Sequence, residues 1–242
     1  EHPMPTLRCG IIGAGKISHC CAGEMRGLPG VELVAAADPS QERVASLAKA
    51  FAIPRTYLRS EDLIADRDVE AVYIAVPNAL HAPLAKAALE AGKHVLLDKP
   101  FALNETEARS VLDAAATSKK VFTLGMNQRF GAGAQKVKSL IQAGRLGRVY
   151  HVKACWMRRT GIPRLGTWFC HKDQAGGGSL LDIGVHMMDL ALHLSGNFRP
   201  LAVSGATYTE FGNRGLGEGG WGMSERSDTR FDVDDFTTAL VK

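Results

Sequence analysis

In the first half of the chain, short continuous apolar runs alternate with stretches of helical period. The runs are "LRCGII", "VELVAAA", "AVYIAV", "HVLLD" and "VFTLG", starting at residues 7, 31, 71, 94 and 121. Between them, 40–51, 79–91 and 104–118 read as helices. Strands apolar at consecutive positions are buried on both faces, as in a parallel sheet. Strand–helix alternation places this half in the α/β class. Asn104, with Glu107 three residues later, reads as a helix N-cap and capping box.

After about residue 130 the rhythm changes. A helix at 135–143 is followed by a longer strand, "VYHVKACWM", at 149–157, and then by a loop. Next comes "GGGSLLDIGVHMMDLALHLSG", three glycines and one long, largely apolar helix. A strand near 201–211 and the glycine-rich loop "GNRGLGEGGWG", which holds Trp221, lead to "RFDVDDFTTALVK". That last segment reads as a strand that stops at 237–242 without a cap or turn. The second half is therefore a mixed α+β domain with an unfinished sheet.

One helix in this pattern raises a chemical question. Asp182, His186, Asp189 and His193 recur at spacings of four, three and four, which puts them on one face. An all-round apolar helix is normally buried, and buried ionisable groups are costly unless paired or used.

Composition narrows the classes. With 242 residues, 45% hydrophobic and 22% charged, the chain has the mixture of a folded globular protein. A net charge of +4 without a long basic run gives no footprint for nucleic acid. No apolar run approaches the roughly 18 residues of a membrane span. The start has no signal pattern, and Met4 reads as the first native residue. The five cysteines are odd in number and form no Cys-x-x-Cys pair, as expected of reduced thiols in a cytoplasmic protein.

Candidate chemistry begins at "RCGIIGAGKIS". Gly13, Ala14 and Gly15 supply two of the three glycines of a dinucleotide fingerprint, with the small Ser18 in the third place. Together with Lys16 and Ile17 they bring backbone N–H groups to a helix start, where a pyrophosphate is favoured. A bare Gly-x-Gly also fits a plain strand–helix turn. Asp38 adds weight. It ends the second strand, where an acid binds the ribose hydroxyls of NAD and repels the extra phosphate of NADP. Pro77, Asn78 and His81 follow the third strand, and Asp98, Lys99 and Pro100 end the next. The carboxyl ends of parallel strands are where ligands sit in such folds.

These stretches resemble the glucose–fructose oxidoreductase, inositol dehydrogenase and rhizopine-catabolism (Gfo/Idh/MocA) oxidoreductases. The resemblance is carried by "GIIGAGKI", "VPNALHAPLAKAALEAGKHVLLDKP", "NQRF" and "GGGSLLDIGVHMMDLAL". It implies a Rossmann domain at 4–126, doubly wound about its parallel sheet. A substrate and oligomerisation domain at 127–242 would have an open, mostly antiparallel sheet, incomplete here because family members run on further. It implies NAD or NADP as cofactor, with Asp38 favouring NAD, a sugar or polyol as substrate and a homo-oligomer, a dimer or tetramer. Lys99 matches the lysine of the family's Glu-Lys-Pro motif, and Asp182 and His186 match its Asp-x-x-x-His pair. Asp98 stands where glutamate is usual.

The implied reaction oxidises a secondary hydroxyl. Hydride leaves to the nicotinamide, His186 takes the proton, Asp182 orients the ring or binds a neighbouring hydroxyl, and Lys99 faces the developing oxyanion. Asn127, Arg158, Arg159 and Trp168 are candidates for the substrate side, and 176–178 for a close backbone approach to cofactor or sugar. A zinc shared by Asp182 and His186 is the rival reading. His193 lies roughly 10 Å further along the helix at 1.5 Å per residue, out of reach of the same ion, so no metal is expected. Asp189 and His193 are expected to make structural hydrogen bonds. Two alternatives remain: redox-assisted processing of a glycoside, and a sensor that binds NAD and sugar without turnover.

Overall fold

The computed structural model describes residues 6–220 and 230–242; Met4 and Trp221 lie outside them. The chain divides into two compact units, residues 1–125 and 126–242.

The first unit follows the sequence pattern closely. Strands β1 (Leu7–Ile12), β2 (Val31–Ala37), β3 (Arg55–Tyr57), β4 (Ala71–Ile74), β5 (His94–Leu97) and β6 (Phe122–Leu124) form one sheet in the order β3-β2-β1-β4-β5-β6. Every neighbouring pair in it is parallel. Consecutive side chains of a strand point to opposite faces, and each face has its own core. On one side, Ile12, Val72 and Ile74 pack with Leu63, Ala85, Leu89 and Val111. These last four come from helices α3 (Ser60–Ala65), α4 (His81–Glu90) and α5 (Glu105–Ser118). On the other side, Cys9, Ile11 and Tyr73 pack with Ala22, Val44 and Leu47, carried by α1 (Lys16–Arg26) and α2 (Gln41–Phe51). Each large aliphatic side chain so buried contributes about 1.5–3 kcal/mol. The sheet is doubly wound, and its order reverses between β1 and β4.

Local signals set the helix ends. Ser40 accepts the Arg43 N–H at 3.3 Å and starts α2. Asn104 accepts the Glu107 N–H at 3.0 Å, and Glu107 takes the Leu103 N–H at 3.1 Å. The capping box thus closes one residue earlier than its usual form. β3 had no sequence signal. Its three residues, "RTY", are too few to show a period, and pairing with Ala35, Ala36 and Ala37 makes them a strand.

The second unit holds α6 (Ala132–Gln142), α7 (Lys172–Ala175), a π-helical turn (Leu180–Gly184) running into α8 (Val185–Ser195), and strands β7 (Val203–Tyr208) and β8 (Phe236–Val241). β7 and β8 pair antiparallel, Val203 opposite Val241 and Tyr208 opposite Phe236. Two expectations are corrected here. Residues 149–157 form no strand: they are mostly exposed, no strand among the described residues pairs with them, and an apolar run becomes a strand only when paired. The long helix is not buried all round either. Only Val185 and His186 of α8 are buried.

Candidate active site

The glycine loop leaves β1 at the point where the sheet order reverses. Gly13 has φ +94°, and a Cβ there would stand 2.1 Å from the Ala75 carbonyl oxygen. This glycine serves the fold. Gly15, the N-cap of α1, differs: a Cβ there would meet nothing within 4 Å. The open space lies at the helix start, where the first-turn N–H groups, those of Lys16 and Ile17 among them, have no intrahelical partner. Both of those side chains are exposed, while Ser18 is fully buried beneath them, as its small size in the third glycine position allows.

Asp38 stands beyond the end of β2 and is 6% exposed. One carboxylate oxygen accepts the Ala14 N–H at 2.8 Å and so ties the glycine loop to the acid. The other accepts the Ser40 N–H at 2.8 Å and the Arg43 guanidinium at 2.8 and 3.1 Å. Arg43 was not legible as a partner, although its place one turn into α2 puts it within reach.

Beyond β4 and β5, two short loops share one clamp. His81 is 1% exposed, with Nδ1 2.6 Å from the Pro100 carbonyl oxygen and Nε2 3.0 Å from that of Val76. Burial works to neutralise this ring, whereas the two carbonyls and Asp98 favour the cation; burial prevails and the pKa is lowered. A neutral ring has one N–H, so it donates to one of these carbonyls and packs its other nitrogen against the second, between Val76 and Pro100. Asn78 is buried, and Lys99 is half-buried. Asp98 accepts the Lys99 N–H at 2.7 Å, and the Tyr73 hydroxyl lies 3.4 Å from its other oxygen. Burial, then Asp98, raises the Tyr73 pKa far above its ordinary value. Sequence reading missed Tyr73, which looks like an ordinary strand residue.

In the second unit, Asp182 and His186 lie one turn apart, Asp182 half-buried and His186 8% exposed. The Trp156 ring lies 6.5 Å from the His186 ring, centroid to centroid. Arg158 stacks over that indole, Cζ 5.0 Å from its centroid. Arg159 and Asn127 are exposed; Asn127 accepts a hydrogen bond from Gln128 at 3.3 Å. Trp168 stacks on Phe169, ring centroids 3.7 Å apart. Asp189 has the structural role expected of it. It takes two bonds from Arg129 of "NQRF", one of them at 2.7 Å, and Lys138 bonds the His193 carbonyl.

The start of the helix carries a further correction. Gly176 and Gly178 do not need a ligand to explain them. Gly176 has φ +78° and ends α7. A Cβ on Gly178 would lie 1.7 Å from the Asp234 carbonyl oxygen. Asp234 fills this corner. Its carboxylate accepts the Gly178 N–H at 2.8 Å, the Leu180 N–H at 3.1 Å, the Ser179 hydroxyl at 2.5 Å and the Thr237 hydroxyl at 2.7 Å. Burial pushes its pKa up, but these bonds outweigh it and hold the pKa below the ordinary value. The acid-rich "DVDD" was the available signal, and it read only as the start of a strand.

Comparison with known proteins gives a consistent picture. Residues 7–126 match the model of the GFO/IDH/MocA oxidoreductase family, NAD-binding Rossmann fold, and residues 134–242 match that of the GFO/IDH/MocA C-terminal domain. The chain is 30% identical over 215 residues to D-glucoside 3-dehydrogenase of Escherichia coli, covering 86% of this chain and 59% of that protein. It is 32% identical over 231 residues to levoglucosan dehydrogenase of Pseudarthrobacter phenanthrenivorans, covering 90% and 58%. A solved oxidoreductase domain protein from Kribbella flavida superposes with a TM-score of 0.82 at 28% identity, covering 98% of this chain and 64% of that one. The chain thus spans about three fifths of the length of these relatives.

Proposed function

The chain belongs to the GFO/IDH/MocA family of oxidoreductases, and we propose that it transfers a hydride between NAD and a secondary hydroxyl of a sugar, polyol or glycoside. The observation that carries the cofactor half is Gly15. Its missing side chain relieves no contact inside the protein, yet it opens the start of α1 to a phosphate. The residues present fit a dinucleotide. The loop at 13–17 would hold the pyrophosphate and Asp38 the ribose, while Asn78, Asp98 and Lys99 lie at the carboxyl ends of β4 and β5. When bound, NAD supplies the hydride acceptor.

The remaining chemistry belongs to side chains. His186, partly shielded from water, accepts the hydroxyl proton; an imidazole does this near neutral pH. Asp182 orients the imidazole or binds an adjacent hydroxyl. Lys99 stabilises negative charge on the oxygen. His81 is a positioning residue that fixes the backbone on which Lys99 stands. In this reading the first unit serves the dinucleotide and the second the substrate, and the protein acts in the cytoplasm as a homo-oligomer.

NAD is preferred to NADP because a fixed carboxylate at Asp38 repels a ribose phosphate. Arg43 offsets part of that charge, so the preference is moderate. Titration with NADH and NADPH, followed by tryptophan fluorescence, should give tighter NADH binding, and Asp38→Ala should narrow the gap by about tenfold. Equal affinities in the parent chain would refute the assignment. Lys99→Ala and His186→Ala should each lower the turnover of an active sugar by at least about a hundredfold. Hydride transfer persisting in both would remove these residues from the mechanism.

A further inference from the structure

We propose that Trp156 and Arg158 form a subsite for a negatively charged substituent of the substrate, a carboxylate or phosphate carried on the sugar or polyol. This rests on the reading of His186 as the base of a hydride-transfer enzyme, and it narrows the substrate class.

The indole of Trp156 is 40% exposed and tilted 37° to the His186 ring, 6.5 Å away. An aromatic face in that place suits the apolar C–H face of a sugar ring. Arg158 lies over the indole at 5.0 Å, within cation–π range. It also runs close to Gly161, which has φ +137°: a Cβ there would stand 2.9 Å from Arg158 Cδ and 3.3 Å from Nη1. Gly161 is itself held by its N–H, which donates to the Gly217 carbonyl at 2.9 Å. The arginine side chain therefore lies against both an indole and the bare α-carbon of a glycine.

Arg158 is exposed, and its guanidinium lies on the indole face. Stacking orders a guanidinium in advance while its N–H donors stay at the edge of the plane. Among the described residues no carboxylate pairs with Arg158. The group has five donors and no acceptor, whereas a sugar hydroxyl both donates and accepts. Two anionic oxygens match the fork. Arg159, exposed next to it, adds a second positive charge to the same surface.

The test uses the 242-residue chain loaded with NADH. Calorimetric titrations with glucuronate, glucose 6-phosphate and glucose compare a carboxylate, a phosphate and a neutral sugar. At least one anion should bind about tenfold to a hundredfold more tightly than glucose, as a charged hydrogen-bonded pair allows. Arg158→Gln should bring that anion down to the affinity of glucose, and Arg158→Lys should restore only part of the difference. The anion that depends on Arg158 identifies the group recognised. Glucose bound as tightly as both anions, an anion preference that survives Arg158→Gln, or no anion binding at all would each overturn the proposal. Hydride transfer is read separately, from NADH formed with NAD and each sugar. An Arg158-dependent preference without turnover would refute the catalytic reading and leave the subsite standing. Turnover without the preference would do the reverse.

Discussion

At the scale of single residues, two glycines two positions apart do different work. Gly13 is required by the fold, because its φ of +94° and the Ala75 carbonyl leave no room for a side chain. Gly15 is required by nothing inside the protein. Gly13→Ala should therefore cost roughly 3 kcal/mol or more of stability in urea unfolding, through strain and a backbone clash. Gly15→Ala should change stability by less than about 1 kcal/mol and weaken NADH binding by about tenfold. If Gly15→Ala bound NADH as tightly as the parent chain, this loop would be a strand–helix turn and no cofactor cradle. The sequence shows both glycines but not the difference between them. The distinction depends on a carbonyl 62 residues away in the chain, from Gly13 to Ala75.

At the scale of elements, the helix bearing Asp182 and His186 is anchored from outside itself. Helix starts leave N–H groups without partners, and here Asp234, from the segment before β8, takes those of Gly178 and Leu180. Asp234→Ala should lower stability by about 1–2 kcal/mol, the usual worth of a lost cap; Asp234→Asn, which keeps one acceptor, should lose less. The pH dependence follows from the lowered folded pKa. This group's contribution is complete above the unfolded carboxylate value of about 4. It is lost as the pH falls from there through the folded value. Urea midpoints of the parent chain and Asp234→Ala measured from pH 7 downward should converge in acid. A gap independent of pH would mean that the carboxylate charge contributes nothing. The same scale explains the strand that did not form. Residues 149–157 have strand composition, but composition cannot supply the neighbour that a ladder needs.

For the whole molecule, the buried apolar residues lie unevenly. Both core clusters belong to the first unit. In the second, Cys170, Ala175, Val185 and Val233 are the buried hydrophobics among the described residues. Every residue of β7 is exposed, and a two-stranded sheet alone is marginally stable in water. Amide hydrogen exchange should therefore be slowest in β1, β4 and β5 and faster by about a hundredfold or more in β7 and β8. Saturating NADH should slow exchange in the first unit, because a ligand at a hundred times its Kd stabilises by about 2.7 kcal/mol. Uniform protection across both units would contradict this division, and exchange unchanged by NADH would contradict the cofactor site.

The sequence by itself determined the parallel sheet of the first unit, most of its strands and helices, the glycine loop with its acid, and the Asp182–His186 pair on one helical face. Most of these are local: a period of side chains, a cap three residues from its partner, or a motif within one turn; Asp38, 24 residues beyond Ala14, was legible from the order of strand, turn, helix and strand. Tertiary structure alone decided which glycine serves the backbone, why Gly178 cannot carry a side chain, and which two carbonyls face the His81 ring nitrogens. It also decided that Asp234 caps a helix 55 residues earlier at Ser179, and that Arg158 lies on Trp156 beside His186. Each of these depends on atoms brought together by chain reversal. Such contacts leave no period in the sequence, because a hydrogen bond or a stacked ring records distance in space and not separation along the chain.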